Sequence, residues 1–122
     1  ILLDVNQANY EGSRVAINQL IKNKIKFDGI FATNDWRAYG SLIALLENNI
    51  EVPKQVKVIG FDDIFISQSS HLSISTIKQD IPTLAKTASQ LLFDLMNDVA
   101  INDEQKRYII PVEVIRRDST KK

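Results

Sequence analysis

Four side chains of this 122-residue sequence are suited to holding a small polar molecule: Tyr10, Asn34, Asp62 and Gln79. Asn34 ends the run Ile30-Phe31-Ala32-Thr33, and Asp62 ends the run Val56-Lys57-Val58-Ile59-Gly60-Phe61. In an α/β protein, ligands sit beyond the carboxyl ends of the strands. An amide that donates and accepts, beside a carboxylate that accepts several hydrogen bonds, matches the vicinal hydroxyls of a sugar or the edge of a purine. Tyr10 offers a flat face for a ring, and Gln79 adds a second amide. Plainer roles stand beside these. Asn34 can cap a helix, Asp62 can cap the turn after Phe61, Tyr10 can be rim packing, and Gln79 can be a solvated turn residue.

Enzymatic chemistry finds less support. The lone His71 has no nucleophile motif around it and reads as a solvated loop residue. There is no Gly-x-Ser-x-Gly elbow, Walker loop or Gly-x-Gly-x-x-Gly, and four glycines leave little for a phosphate cradle. Asp62 and Asp63 are adjacent, and neighbours in an extended chain point opposite ways, so only one can face a given site. No catalytic residue, metal ligand or cofactor site is assigned.

The elements that must position these residues alternate between helix and strand. Asn9 caps a helix running to about Lys22, with Ser13, Ala16, Ile17, Leu20 and Ile21 on one face. Asp28 to Thr33 is a short strand with a continuous, buried-type apolar core. Asn34 or Asp35 caps a second helix to about Asn48, whose apolar face includes Trp36, Tyr39, Ile43 and Leu46. Asn48-Asn49 suits the left-handed residue at its end. Val56 to Phe61 is the next strand. Ile64 to His71 is a Ser-rich loop with a short helical turn, and Ser73 to Ile77 a strand of alternating character. Asp80 caps a helix from about Ile81 to Met96, with Pro82 in its first turn and a stripe of Ile81, Leu84, Ala85, Ala88, Leu92 and Leu95. Asn97 to Lys106 is a polar turn. Tyr108 to Ile115 is the last strand, with Pro111 marking an edge or bulge. The charged tail Arg116 to Lys122 is expected to fray. This alternation predicts an α/β fold with a mainly parallel sheet flanked by helices.

Composition agrees. The chain is 44% hydrophobic and 25% charged, which suits one globular domain. Fifteen basic and fifteen acidic residues balance, so there is no basic footprint for nucleic acid. The absence of cysteine removes disulfides and thiolate metal sites and fits a reducing compartment. No apolar run approaches the roughly 20 residues that span a bilayer. The opening Ile1-Leu2-Leu3-Asp4 reads as a fragment starting in or just after a strand.

An ordered series of motifs adds to this. Asp28-Gly29-Ile30-Phe31-Ala32-Thr33-Asn34-Asp35 is followed by Ala38-Tyr39-Gly40, Ile50-Glu51-Val52-Pro53 and Val58-Ile59-Gly60-Phe61-Asp62-Asp63. Ser75-Thr76-Ile77-Lys78-Gln79-Asp80 and Arg116-Arg117-Asp118-Ser119-Thr120 complete it. The series resembles the C-terminal half of the effector-binding domain of LacI/GalR-family bacterial transcription regulators, over essentially the whole chain. Asn49 stands where that family usually has Gly.

The resemblance implies a periplasmic-binding-protein-like (type I) fold, two α/β lobes around a cleft. Residues 1–122 would be a partial effector domain, mostly its C-terminal lobe. The helix within residues 80–99 would belong to the N-terminal lobe, and the last strand would return to the C-terminal one. The family's contacts carry over to Asn34, Asp62 and Gln79, with Tyr10 at an aromatic position, and Asp63 would hold the turn that follows. The implied partners are a small effector (sugar, sugar phosphate or purine), operator DNA through a helix-turn-helix domain not in this chain, and a second copy in a homodimer. The helix at Trp36 to Asn48 and the loop at Phe65 to Leu72 resemble its dimer surface. The implied protein is a cytoplasmic regulator, a repressor in type, and no membrane is involved. A solute-binding protein of a sugar transporter shares the fold and is the alternative; Lys78-Gln79-Asp80 and the Arg-Asp-Ser-Thr tail favour the regulator.

Overall fold

The computed structural model describes residues 1–3, 9–99 and 107–121. They form two compact units, one of Ile1–Lys78 with Val114–Lys122 and one of Gln79–Glu113. The four strands β1 (Gly29–Phe31), β2 (Lys57–Phe61), β3 (Ser75–Gln79) and β4 (Val112–Ile115) lie in that order in one sheet. β1 and β2 are parallel with Ile30 opposite Val58, and β2 and β3 are parallel with Gly60 opposite Thr76. The expected α/β arrangement with a mainly parallel sheet is present.

In the larger unit, α1 (Tyr10–Lys22) and α2 (Asp35–Glu47) begin where the sequence supplies caps. Asn9 Oδ1 accepts from the Gly12 amide at 3.2 Å, and Asn34 Oδ1 accepts from the Arg37 amide at 2.8 Å. Each helix ends on a left-handed residue, Lys24 (φ 56°) after α1 and Asn49 (φ 56°) after α2. The amides of Ile25 and Ile50 then reach back to the carbonyls of Leu20 and Leu45, which satisfies the last turn. A short helix, α3 (Phe65–Ser69), is the helical turn expected in the Ser-rich stretch.

The core is built from Ile17 of α1, Ala38, Leu42, Ala44 and Leu45 of α2, and Ala32, Val56, Val58 and Ile74 in and beside the strands. The buried face of α2 differs from the one expected. Trp36 and Leu46 are exposed (45% and 42%), while Asp35, Ala38, Ser41, Leu42 and Leu45 face inward. The reason is side-chain size. A Cβ on Gly40 would lie 1.9 Å from the Tyr10 carbonyl oxygen, so α1 and α2 meet backbone to backbone. A Cβ on Gly60 would lie 2.2 Å from Asp35 Oδ1 and 3.1 Å from the Ala38 Cβ. So close an approach admits small residues, and the large aromatic ones are turned away.

Other boundaries moved as well. β1 is not a buried strand: among the described residues it has one neighbour in the sheet, and Phe31 is 61% exposed. β3 starts two residues later than expected, and its burial does not alternate; Ser75 and Thr76 are both fully buried. β4 begins after Pro111, which lacks the amide a ladder needs.

The described part of the tail, residues 116–121, does not fray. Ser119 is fully buried; its hydroxyl donates to the Val58 carbonyl at 2.6 Å and accepts from the Ser75 amide at 2.8 Å. The Val58 amide donates to the Ser119 carbonyl at 3.1 Å, and Ser75 Oγ shares a 2.6 Å hydrogen bond with Thr120 Oγ1. Charge had marked this segment as solvated, but its small hydroxyl residues occupy the interior beside β2 and β3.

The smaller unit contains α4 (Ile81–Met96), with the expected bounds and cap. Asp80 accepts from the Thr83 amide at 3.1 Å and from its hydroxyl at 2.7 Å. Its apolar stripe, Ile81 to Leu95, is exposed throughout. Part of the expected polar turn after it, residues 100–106, lies outside the described residues.

Candidate ligand-binding site

Asn34 and Asp62 follow two adjacent parallel strands, β1 and β2, at their carboxyl ends. Asn34 is half-buried and caps α2 through Oδ1. The cap does not consume the amide nitrogen, so capping and ligand donation are compatible roles. Asp62 is half-buried and has φ 109°, with Asp63 next at φ 58°. Two successive left-handed residues that are not glycine form a strained turn, costing on the order of 1–3 kcal/mol each. The expectation of an extended chain that would splay the two carboxylates does not hold here.

Hydrogen bonds hold that turn open. The Asp62 amide donates to the Ile77 carbonyl at 2.8 Å, and the Asp63 amide lies 3.4 Å from Thr76 Oγ1. The Ile64 amide donates to Asp35 Oδ2 at 2.9 Å, and Thr76 Oγ1 donates to Asp35 Oδ1 at 2.6 Å. Asp35 and Thr76 are fully buried. Burial raises the Asp35 carboxyl above the usual range, opposed by its bonds from Thr76 and Ile64, while the nearby Asp62 charge raises it further.

Asp63 has the structural role expected of it. Its Oδ1 pairs with Arg117 at 2.5 Å, with both side chains largely buried. Arg117 also donates to Ser67 Oγ and to the Ile74 carbonyl, each at 3.0 Å. The second carboxylate of the Asp62-Asp63 doublet is therefore committed to the fold.

Tyr10 opens α1 and is 43% exposed. Its ring stands edge-on to Tyr39 at 6.0 Å, and Tyr39 stands edge-on to Trp36 at 6.5 Å. The close contact at Gly40 fixes the Tyr10 backbone against α2. Gln79 is the last residue of β3, half-buried, and belongs to the smaller unit. His71 is exposed, as expected.

Sequence reasoning missed Asp35, Thr76 and Arg117 as supports of the turn. The available signal was Gly60, a residue without a Cβ inside a β-branched strand, which marks a close approach. A separate cavity of about 360 Å³ has an apolar lining that includes Leu2, Ile17, Leu20, Phe27 and Ile30, and none of the four candidate residues borders it. Among the described residues there is no cluster of three or more His, Cys, Asp or Glu suited to a metal, and no helix is long and apolar enough to cross a membrane.

Comparison with known proteins places this geometry in a group. A periplasmic binding protein-like domain model matches residues 3–120. The HTH-type transcriptional regulator MalR of Clostridium butyricum is 34% identical over 103 residues, 84% of this chain and 30% of that protein. The crystal structure of the lac repressor dimer bound to operator and the anti-inducer ONPF superposes with a TM-score of 0.83 at 25% identity, over 92% of this chain and 38% of that one. A LacI family transcriptional regulator from Arthrobacter sp. FB24 in complex with lactose gives a TM-score of 0.81 at 28% identity, over 94% of this chain and 43% of that one. The chain thus spans about a third of the length of the curated relative.

Proposed function

This chain belongs to the periplasmic binding protein-like domain family, and from that premise we propose that it is the effector-binding segment of a LacI/GalR-type transcriptional regulator, repressor in type, with a sugar as its effector. It is a binding module and not an enzyme. The reading is supported first by two ligand-capable side chains, Asn34 and Asp62, at the carboxyl ends of adjacent parallel strands. Asp62 accepts from ligand hydroxyls, Asn34 and Gln79 exchange hydrogen bonds with them, and Tyr10 packs on the ring. The lactose complex of a structural neighbour supports a sugar over a purine or sugar phosphate.

The smaller unit, Gln79–Glu113, supports reading α4 as a piece of a second lobe. Ligand binding biases the protein between two global states. The effect on operator binding, through a DNA-binding domain elsewhere in the protein, is then a coupling between two sites. It requires the ligand to bind the two global states with different affinity. The protein acts in the cytoplasm as a homodimer. Exposed apolar side chains on the outer face of α2 and on α3, Trp36, Leu46 and Phe65, support that surface as the contact between copies.

Calorimetry on the full-length protein with D-ribose, D-galactose, maltose and lactose tests the site. At least one sugar should bind, and Asp62→Ala should weaken it roughly 10- to 100-fold, the effect of removing a charged hydrogen-bond partner. Unchanged affinity in that variant removes Asp62 from the site.

A further inference from the structure

We propose that Asp35 is a positioning residue for the ligand site: with Thr76 it holds the Asp62-Asp63 turn in its left-handed form and so sets where the Asp62 carboxylate stands. The proposal rests on the reading of Asp62 as a ligand acceptor. It starts from a conformational problem. Asp62 and Asp63 have φ of 109° and 58°, values that side chains with a Cβ resist. Such a turn persists only where its surroundings over-determine it.

The surroundings are specific. Three successive backbone amides, Asp62, Asp63 and Ile64, face the Ile77 carbonyl, the Thr76 hydroxyl and the Asp35 carboxylate. Thr76 links the last two, because its hydroxyl donates to Asp35 Oδ1 at 2.6 Å. Asp35 accepts with both oxygens, so the two bonds fix its carboxylate plane. Asparagine could keep its oxygen on the Ile64 amide only by turning its NH2 to Thr76 Oγ1, which reverses that bond and takes the carboxylate acceptor away from the Thr76 hydroxyl proton.

Two features show that space is reserved for this carboxylate. Gly60 leaves the room it occupies, and Asp35, at the first turn of α2, stands where the helix favours an anion. Asp35 directly follows Asn34, so a single turn of chain sets both candidate ligand groups. On the other side of the turn, Arg117 holds the Asp63 carboxylate. Between these two anchors the framework fixes the backbone of Asp62.

The test uses the full-length protein and three variants, Thr76→Val, Thr76→Ser and Asp35→Asn. The readouts are amide hydrogen exchange and affinity for the four sugars named above. Thr76→Val and Asp35→Asn should speed exchange of the Asp62 and Ile64 amides tenfold or more, with the amides of Leu42 and Leu45 unaffected. They should also raise the Kd of any sugar the native protein binds by tenfold or more. Thr76→Ser, which keeps the hydroxyl, should restore both. Unchanged exchange at Asp62 and Ile64 in Thr76→Val overturns the proposal. So does uniform acceleration at every amide, which would mark a purely structural role. Should Asp62→Ala bind sugar like the native protein while Thr76→Val still loosens the turn, the ligand reading fails and the positioning of the turn stands by itself.

Discussion

Asn34 carries two roles that a single substitution can separate. Its oxygen caps α2, and its amide nitrogen is the donor proposed for the ligand. Asn34→Asp keeps a capping oxygen and removes the donor. Its melting temperature should stay near that of the native protein while sugar affinity falls at least tenfold. Asn34→Ala should lose both, with a stability cost of about 1 kcal/mol. A loss of stability in Asn34→Asp equal to that in Asn34→Ala would sink the separation. Gly60 tests the same neighbourhood from the strand side. Gly60→Ala must displace the Asp35 carboxylate, and an overpacked core position costs about 1–3 kcal/mol by urea denaturation.

At the scale of elements, the C-terminal segment behaves as part of the sheet layer. Ser119 hydrogen-bonds both β2 and β3, and Arg117 braces the turn between β2 and α3. Ser119→Ala leaves the buried Ser75 amide and Val58 carbonyl without that partner. It should cost about 1–3 kcal/mol of unfolding free energy in urea titration, far more than a change in a frayed tail. The α1–α2 pair is equally exacting. Gly40→Ala puts a Cβ against the Tyr10 backbone, which cannot yield as a side-chain end does, so the helices must part. That variant should lose more stability than Gly60→Ala and should also shift Tyr10.

Across the whole molecule, pH reports on the buried carboxyl. Asp35 has its proton affinity raised by burial, so the folded chain holds a proton that the unfolded chain has already released. Between the ordinary aspartate value near 3.8 and the raised one, stability therefore falls as pH rises. Two exposed carboxylates act with the opposite sign, Asp118 below its ordinary value of 3.8 and Glu47 below its ordinary value of 4.5, so Glu47 overlaps the lower part of that window. Asp118 is lowered by its hydrogen bond from Ser73, and Glu47 by its bond from Arg14, so their contributions are lost as pH drops. Above the ordinary glutamate value of 4.5, where neither Asp118 nor Glu47 opposes it, the Asp35 contribution should lower the urea midpoint as pH rises. Asp35→Asn should flatten that decline, whatever its own midpoint. An unchanged slope in the variant would show that Asp35 is not the titrating group.

Much of this was legible in the residues. Caps announced themselves, because Asn9, Asn34 and Asp80 satisfy amides two or three residues ahead and need no distant partner. The strands, their order of appearance and the carboxyl-end placement of Asn34 and Asp62 followed from local pattern. Asp63 was separable from Asp62 through the ordered motifs, although the extended geometry expected of the pair does not hold. What the sequence could not reveal is set by contacts far apart in the chain. Asp35 meets Thr76 across 41 positions, and Arg117 meets Asp63 across 54. The inner face of α2 was misjudged because hydropathy favoured Trp36 and Leu46, whereas close helix and sheet approach at Gly40 and Gly60 selected small residues. The tail was misjudged because its charges are local and its buried serine is not. Local chemistry thus determined where this protein has its elements and its candidate ligand groups. Only the tertiary structure decided which carboxylates are buried, which face of a helix is inside, and what holds Asp62 in a conformation its own backbone disfavours.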